Sequence, residues 1–453
     1  MGSLGQVVLD QCIIHGFGYL GSRITGVIEG TRRVQKTWKS VDEVPFRIVA
    51  IVERDPGRLQ MAQTSHPDIP CFADIEEALE VFAGPTTFIK DFTSPIGRAR
   101  LLAAARRVGV PVLLEKPLSS PGVEVSLAGR ESEASVSMSE AFNPVVRALA
   151  NKLAADASEI RSFSFVRVNS VSLERLRNPN ARRDIIGGAF VDKLSHDLHL
   201  LISGAILGPT DVEFGTPQIQ EIAYDLLAKN DGTRGLSFSS LDGVPLPPKE
   251  AAAPNSDASE MMVDFTMPMQ LDGRSVPTRW IASWCGVPDN LASRLGIPDA
   301  YVEAARVISA GDPNAVGRAA YPRSNLKLLV CEYVNSAGEE AQLICNLQAR
   351  GAVTAWLIEL RNGAEYRLPV KYCVSIVESM NSFSQYFRTG GYLDLEGIEK
   401  ADRAALEIRS RFPHPLKDEL RIERSLAILD RNHGGRFEYG ESQCSCIKGP
   451  YEF

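Results

Sequence analysis

Apolar runs alternate with helical stripes over the first third of the chain. Four runs rich in apolar residues predict strands, at residues 11–15, 46–52, 87–92 and 110–114. Between them, three stretches predict helices, at residues 22–28, 75–82 and 98–108. Strands that alternate with helices are joined by right-handed crossovers and form a parallel sheet. The pattern therefore predicts an α/β fold that begins with a doubly wound parallel sheet.

A glycine turn joins the first predicted strand to the first predicted helix, in the sequence Gly16-Phe17-Gly18-Tyr19-Leu20-Gly21. The first glycine permits a tight turn, the second lets the backbone approach a pyrophosphate, and the third allows close packing of helix on strand. The helix N-terminus adds free N–H groups and a partial positive charge. A purely structural turn is the alternative, but the position between strand and helix favours a dinucleotide site formed by these six residues.

The nucleotide specificity depends on Glu53 and Arg54, which follow the second predicted strand. A carboxylate there accepts hydrogen bonds from ribose hydroxyls and repels a 2′-phosphate, so Glu53 favours NAD. Its interval from the glycines is longer than usual, and we attribute this to a polar insertion at residues 31–44. Arg54 keeps NADP open, because a guanidinium accommodates the 2′-phosphate.

Three further motifs follow in order: Thr93-Ser94-Pro95, Glu115-Lys116-Pro117, and the segment 187–196 that carries Asp192 and His196. With the glycine turn, they resemble the Gfo/Idh/MocA family of oxidoreductases over about residues 11–205. The resemblance implies a Rossmann domain at residues 1–140 and a catalytic α/β domain at residues 141–453, the latter with a large open, mostly antiparallel sheet. It also implies NAD(P)-dependent chemistry at a hydroxyl or ketone carbon of a sugar, a cyclitol or a nucleotide-linked sugar.

The resemblance assigns roles to individual residues. Lys116 would hydrogen-bond the reacting oxygen, His196 would move its proton, and Asp192 would orient or charge-balance the pair. Cofactor contacts would come from Thr93, Ser94, Pro95, Glu115 and Lys116.

Helical spacing independently supports the roles of Asp192 and His196. In a helix, Asp192, His196 and His199 stand at i, i+4 and i+7 on one face, so His199 is a candidate substrate contact. A histidine beside a carboxylate titrates near neutrality, as a proton shuttle requires. Two alternatives are a helix histidine satisfied by Asp192 and a metal site shared by the imidazoles. We predict no metal, because the cofactor motif already supplies a chemistry.

The chain departs from the family pattern at three positions. Leu194 replaces a glycine, His199 replaces the final acid, and Arg98 falls near the usual position of a histidine after the third central strand. The substrate contacts are therefore expected to differ from those of the family.

An arginine cluster precedes the segment 187–196 and includes Arg182 and Arg183. Guanidinium groups there suggest an anionic substrate, with a solvated basic loop as the alternative.

Later strands are predicted near residues 160–168, 261–265, 278–284, 326–333, 342–347 and 354–360. Residues 231–259 are predicted to form a loop, and residues 286–323 an insertion with a short helix.

Composition narrows the setting of this chemistry. The 453 residues carry a formal net charge of −7, which argues against a nucleic-acid partner. No apolar stretch reaches the length of a membrane span, and the eight cysteines show no zinc-ligand spacing. We expect a cytoplasmic homo-oligomer, dimer or tetramer, that binds a small molecule. A ligand sensor of the same fold and a redox-neutral NAD-dependent glycosidase or epimerase stay open as alternatives.

Overall fold

The described residues of the chain belong to two units. The computed structural model describes residues 8–30, 44–93, 97–116, 118, 127, 132–169, 188–208, 210–227, 236–238, 258–284, 287–288, 290–309, 323–348, 355–370, 374–389, 392 and 395–412. The first unit comprises the described residues of Met1–Arg147, Ala349–Ala355 and Val370–Asp402, and the second those of Ala148–Gln348, Trp356–Pro369 and Arg403–Phe453. The functional division at residue 140 stays a prediction.

Within these residues, six strands form the sheet of the first unit. They are β1 Gln11–His15, β2 Arg47–Val52, β3 Cys71–Phe72, β4 Thr87–Asp91, β5 Val112–Glu115 and β6 Ala134–Ser137. Their order is β3-β2-β1-β4-β5-β6, and every adjacent pair is parallel. The predicted doubly wound sheet is confirmed. The strand order reverses between β1 and β4, and open α/β sheets bind ligands at the carboxyl ends of strands beside such a point.

The helices share one numbering through both units. They are α1 Tyr19–Ile28, α2 Pro56–Ser65, α3 Ile75–Phe82, α4 Arg98–Arg107, α5 Pro144–Asp156, α6 Gly188–Ile202, α7 Leu291–Leu295, α8 Asp299–Ala305, α9 Ser375–Tyr386 and α10 Leu395–Ser410. Short 3-10 helices cover Ser139–Phe142 and Phe387–Thr389. No helix in the described part of the chain is long and apolar enough to cross a membrane.

The two faces of the first sheet pack into separate hydrophobic cores. Ile13 of β1 points into a core shared with α3 and α4, whereas its neighbours Cys12 and Ile14 point into a core shared with α1 and α9. Burial of both faces explains why these strands are apolar runs rather than alternating patterns. Helix α9 closes the second core although it follows β4 by almost three hundred residues of chain. Its Ser379 hydroxyl lies 3.1 Å from that of Ser137 in β6.

Eleven strands form the sheet of the second unit, counted over the described residues. They are β7 Ala157–Asn169, β8 Val212–Phe214, β9 Gln218–Leu227, β10 Leu236–Phe238, β11 Ala258–Leu271, β12 Arg274–Ser283, β13 Val307–Ser309, β14 Arg323–Asn335, β15 Glu340–Asn346, β16 Trp356–Arg361 and β17 Ala364–Leu368. The main order is β10-β9-β11-β12-β7-β14-β15-β16-β17, with β13 on β14 and β8 on β11. The β12 and β7 pair is parallel and the other pairs are antiparallel, so the predicted mostly antiparallel sheet is confirmed.

This sheet carries different layers on its two faces. Helices α7 and α8 pack on one face, where Leu291 and Val302 join a core with Ile281 and Leu328. Helix α6 contacts β7, β11 and β12, and its Phe190 meets Phe265 edge-on at 5.6 Å between ring centroids. Strand β10 and the start of β11 lie inside the predicted loop at residues 231–259, so the loop prediction is wrong there. Residues 239–257 lie outside the described residues.

Candidate functional site

The glycine turn after β1 depends on two glycines for its shape. Gly16 has φ of +93°, a backbone conformation that residues with a Cβ rarely adopt. A Cβ on Gly21 would lie 2.0 Å from the Gly16 carbonyl oxygen, so any side chain there would force α1 away from the turn. The tight turn predicted at Gly16 and the close packing predicted at Gly21 therefore have a direct steric basis.

The middle glycine of the turn leaves an open surface. Gly18 is the N-cap of α1 and supplies no side-chain hydrogen bond to the first N–H groups of that helix. Among the described residues, one arginine side chain comes near it: Arg58 Nη1 lies 3.6 Å from the position that a Cβ on Gly18 would occupy. A helix N-terminus whose N-cap residue has no side chain, together with a nearby cation, fits the phosphates of a dinucleotide. Of the other turn residues, Leu20 is partly exposed and Tyr19 exposed.

Glu53 braces the turn from the end of β2. Its Oε2 accepts a hydrogen bond from the Phe17 backbone N–H at 2.7 Å, and its Oε1 accepts one from the Asp55 N–H at 2.9 Å. The side chain is buried, and Phe17 itself packs edge-on against the His66 ring. Glu53 therefore fixes the relative position of β2 and the glycine turn, a role that the sequence did not reveal. The predicted contact between Glu53 and the ribose stays a prediction.

A short acidic cap directs Arg58 toward the turn. Asp55 Oδ1 accepts the backbone N–H of Arg58 at 2.9 Å and begins α2 as its N-cap. Arg54, which we predicted to contact the nucleotide, is exposed beside this cap. Arg58 was missed because one turn of helix separates it from β2, although the Asp55-Pro56 helix start was a usable signal.

The carboxyl end of β4 carries a buried carboxylate with several partners. Asp91 Oδ1 lies 2.8 Å from His15 Nδ1 and accepts hydrogen bonds from the Thr93 N–H and hydroxyl at 3.1 and 2.7 Å. Burial alone would raise the pKa of Asp91, but the hydrogen bond with His15 and nearby positive charges hold it below its usual value. Thr93 is thereby fixed, whereas Ser94 and Pro95 lie outside the described residues.

Glu115 ends β5 and is held by a buried lysine on the neighbouring strand. Lys90 Nζ lies 2.5 Å from Glu115 Oε1, and the ammonium also lies 4.8 Å from the centroid of the Phe92 ring. Burial lowers the pKa of Lys90, and the charge of Glu115 opposes that shift. Lys116 follows directly and is partly exposed.

In the second unit, Asp192 and His196 lie on α6 and are partly exposed. Asp192 Oδ2 is 2.7 Å from Lys193 Nζ and accepts a hydrogen bond from Trp284 Nε1 at 3.2 Å. Sequence reasoning missed both partners. Adjacent residues of a helix point in different directions, so Lys193 was not considered as a partner, and Trp284 follows β12, about ninety residues further along the chain. Arg182 and Arg183, the predicted anion contacts, lie outside the described residues.

A buried ion pair anchors the same helix to the sheet. Arg167 of β7 donates through Nε and Nη2 to the two carboxylate oxygens of Asp197, at 2.6 and 2.5 Å. His199 lies two residues further along, fully buried, and burial lowers its pKa from 6.5 to about 3. Neither ring nitrogen has a hydrogen-bond partner among the described residues. His199 is thus a neutral core residue here, and its contact with a substrate stays a prediction.

Comparison of the sequence alone identifies no relative: no family model matches it, and no curated protein does. Comparison of the fold does find similar structures. A biliverdin reductase from Synechocystis sp. PCC 6803, in complex with biliverdin and NADP+, matches with a TM-score of 0.53 at 13% identity, over 88% of this chain and 98% of that chain. The UDP-N-acetylglucosamine 3-dehydrogenase GnnA from Acidithiobacillus ferrooxidans matches with 0.54 at 11% identity, over 90% and 100%.

A variant of the 3-ketoreductase KijD10 from Actinomadura kijaniata, in complex with TDP-benzene and NADP, matches with a TM-score of 0.53 at 14% identity, over 89% of this chain and 99% of that chain. The chain shares its fold with these three oxidoreductases. The four motifs from which we predicted it therefore belong to a chain with this architecture. Identities this low describe the fold and leave the substrate open.

Proposed function

We propose that the protein is an NAD(P)-dependent oxidoreductase that acts on a hydroxyl or ketone carbon of a sugar, a cyclitol or a nucleotide-linked sugar. The observation that carries this proposal is the glycine turn at the switch point of the first sheet, with Gly21 in contact with Gly16 and with Gly18 as the N-cap of α1. A turn that required glycine only for packing would need neither the open surface at Gly18 nor the cation of Arg58 beside it.

The dinucleotide, when bound, supplies the hydride acceptor or donor at the nicotinamide C4. The turn residues Gly16 to Gly21 would hold its pyrophosphate, and Arg58 would add a positive charge there. The bond from Phe17 N–H to Glu53 keeps this surface formed. Because Glu53 disfavours a 2′-phosphate whereas Arg54 and Arg58 favour it, both NAD and NADP have supporting residues.

Lys116 and His196 are proposed to act on the reacting oxygen. In the oxidative direction, Lys116 donates a hydrogen bond to the substrate hydroxyl oxygen and His196 accepts its proton, and reduction reverses both steps. Asp192 would balance the positive charge that forms on His196, and the Trp284 N–H and the Lys193 ammonium would orient its carboxylate. We further propose that the substrate is anionic and that the guanidinium groups of Arg182 and Arg183 bind it.

The test is turnover on a panel of aldoses, inositols, uronic acids and nucleotide sugars with NAD+ or NADP+, followed by the absorbance of the reduced nicotinamide. We expect Lys116→Ala and His196→Ala each to lower kcat by about 100-fold to 10,000-fold, the usual contribution of general acid–base groups, with dinucleotide affinity retained. Exposed Lys400 on α10 provides the control variant Lys400→Ala. Near wild-type kcat in both site variants would exclude the mechanism.

Two other activities are outcomes of the same panel. Substrate conversion without net change in nicotinamide absorbance would indicate a redox-neutral glycosidase or epimerase. Dinucleotide binding without conversion of any panel member would favour the sensor. The expected homodimer or homotetramer is checked separately by light scattering of the purified protein.

A further inference from the structure

The side chain of Arg98 grips the backbone on both sides of Lys116. Arg98 is the first residue of α4 and is fully buried. Its Nη1 donates to the Leu118 carbonyl oxygen at 3.1 Å, and its Nη2 donates to the Glu115 carbonyl oxygen. A single planar guanidinium therefore connects the residue before Lys116 to the residue two places after it.

Buried carboxylates fix the guanidinium in turn. Arg98 Nε lies 3.6 Å from Asp91 Oδ2, and Asp402 Oδ2 accepts the backbone N–H of Leu118 at 2.7 Å. Burial lowers the pKa of Arg98, and the charges of Asp91, Glu115 and Asp402 oppose that shift. A buried cation is costly without such partners, so this one is stabilised only where the carboxylates and carbonyls meet.

The segment is held at its side chains as well. Lys90 binds the Glu115 carboxylate, so the residue before Lys116 is fixed through both its backbone and its side chain. Among the described residues of this stretch, Glu115 and Lys116 are partly exposed and Leu118 is buried. With the backbone immobilised around it, the lysine Cα has a defined position from which its four-carbon side chain extends.

We propose that Arg98 is a positioning residue for Lys116, which fixes the ammonium against the reacting oxygen by holding the Glu115 and Leu118 carbonyls. The inference rests on the proposed function, because it matters for catalysis only if Lys116 acts on the substrate. Arg98 occupies a place where the family pattern has a histidine, and a guanidinium reaches two carbonyls at once where a single imidazole N–H reaches one. Arg98 would thus hold the residues on both sides of Lys116 through two carbonyl contacts that one imidazole N–H could not make.

The test compares Arg98→Met and Arg98→Lys with Arg106→Met. Arg106 lies on the same helix, but its side chain is 61% exposed and pairs with Glu133 at 3.0 Å, so its loss removes only a surface ion pair. The assay measures kcat and KM for the panel compound that the wild type oxidises, and the Kd for NADH and NADPH by fluorescence. Misplacement of a catalytic group by about 1 Å lowers rates by about 100-fold, and we expect Arg98→Met to lower kcat by that factor with Kd changed less than about threefold.

Arg98→Lys keeps the positive charge near Asp91 and Asp402 but cannot span both carbonyls, so it should fold and recover only part of kcat. If Arg98→Met does not fold, Arg98→Lys alone tests the positioning role.

A second readout needs no substrate. It is the rate at which acetic anhydride labels the Lys116 amine, followed by mass spectrometry with Lys152 as an internal reference. We expect that rate to change in both Arg98 variants and to stay at the wild-type value in Arg106→Met.

Wild-type kcat and Lys116 labelling in a folded Arg98→Lys or Arg98→Met variant would overturn the positioning role and leave the proposed function standing. Near wild-type kcat in both Lys116→Ala and His196→Ala would instead overturn the proposed mechanism on which the inference rests. The two failures are therefore read from different variants.

Discussion

The glycine turn of the first unit and helix α6 of the second are held in place by opposite means. The turn keeps its shape because two of its residues have no side chain. Gly16 has φ of +93°, and a Cβ on Gly21 would lie 2.0 Å from the Gly16 carbonyl oxygen, so neither position has room for a side chain. The helix is fixed by added charges, because Arg167 and Asp197 form a two-point ion pair beneath it. A steric constraint fails whenever an atom is added, whereas an ionic one fails when a single partner is removed.

This difference predicts distinct responses to substitution. A substitution in the glycine turn should weaken dinucleotide binding alone, and a second substitution elsewhere should not restore that binding. Damage to the ion pair should spread to the stability of the second unit and should be repaired by removing the other partner. The variants below separate these responses, beginning with the largest expected effect.

Asp197→Ala leaves the Arg167 guanidinium buried without its carboxylate. Loss of one partner of a buried pair costs about 3 to 5 kcal/mol, and we expect that decrease in the free energy of unfolding, measured by urea titration. The double variant Arg167→Met with Asp197→Leu should regain most of it. The control is Glu303→Ala, which removes an exposed partner 3.5 Å from Arg306. If Asp197→Ala is no more damaging than Glu303→Ala, the anchoring role is wrong.

Gly21→Ala adds one methyl group against the Gly16 carbonyl. Overpacking costs about 1 to 3 kcal/mol, and the shift of α1 away from the turn should abolish measurable NADH and NADPH binding in a fluorescence titration. Gly97→Ala is the matched control, since no atom of the described residues lies within 4 Å of its added Cβ. Retention of wild-type affinity in Gly21→Ala would show that the turn is not the dinucleotide site.

His199 makes the stability of the second unit depend on pH. Its pKa falls from 6.5 to about 3 on burial, so below pH 6.5 the unfolded chain binds a proton that the folded chain refuses. Stability from this group is therefore fully present above pH 6.5 and is lost as the pH falls toward 3. Between pH 7.5 and 5 the loss is about 2 kcal/mol. His199→Leu should reduce the difference between urea titrations at those two pH values by that amount, and an unchanged difference would contradict the assignment.

Trp284→Phe removes one N–H donor from Asp192 and keeps an aromatic ring. The bond is long, at 3.2 Å, and Lys193 still pairs with the carboxylate. We expect the activation barrier to rise by about 1 kcal/mol, seen as a fewfold decrease in kcat with little change in dinucleotide affinity. A fall in kcat as large as that of His196→Ala would mean that Trp284 acts on the substrate directly.

The same contrast explains which features the sequence could predict. Strands β1 and β4, helix α3 and the glycine turn are local patterns, and the predicted bounds of α3 at residues 75–82 match the structure. Arg167 and Asp197 are 30 residues apart and become partners only when α6 packs on β7, so no local pattern marks them. Helix α9 was not predicted from the sequence, and an apolar stripe would not specify that it packs in the core of the first unit.

Glu53 and Arg98 illustrate a second limit. Both positions drew notice from the sequence, one as a ribose contact and one as a departure from a histidine. Their partners are backbone groups, the Phe17 N–H and the Glu115 and Leu118 carbonyls. Every residue carries such groups, so composition and spacing do not distinguish the ones that a side chain will bind.

Hydride transfer is the central claim, and deuterium tracing tests it most directly. The panel compound that the wild type oxidises is labelled with deuterium at its carbinol carbon, and the reduced dinucleotide is recovered after turnover and examined by NMR. Direct transfer predicts deuterium at the nicotinamide C4 in the wild type, and the labelled dinucleotide should form at least about 100-fold more slowly in Lys116→Ala. Label that appears only in solvent, or that is retained in the product without any reduced dinucleotide, would contradict the proposed dehydrogenase.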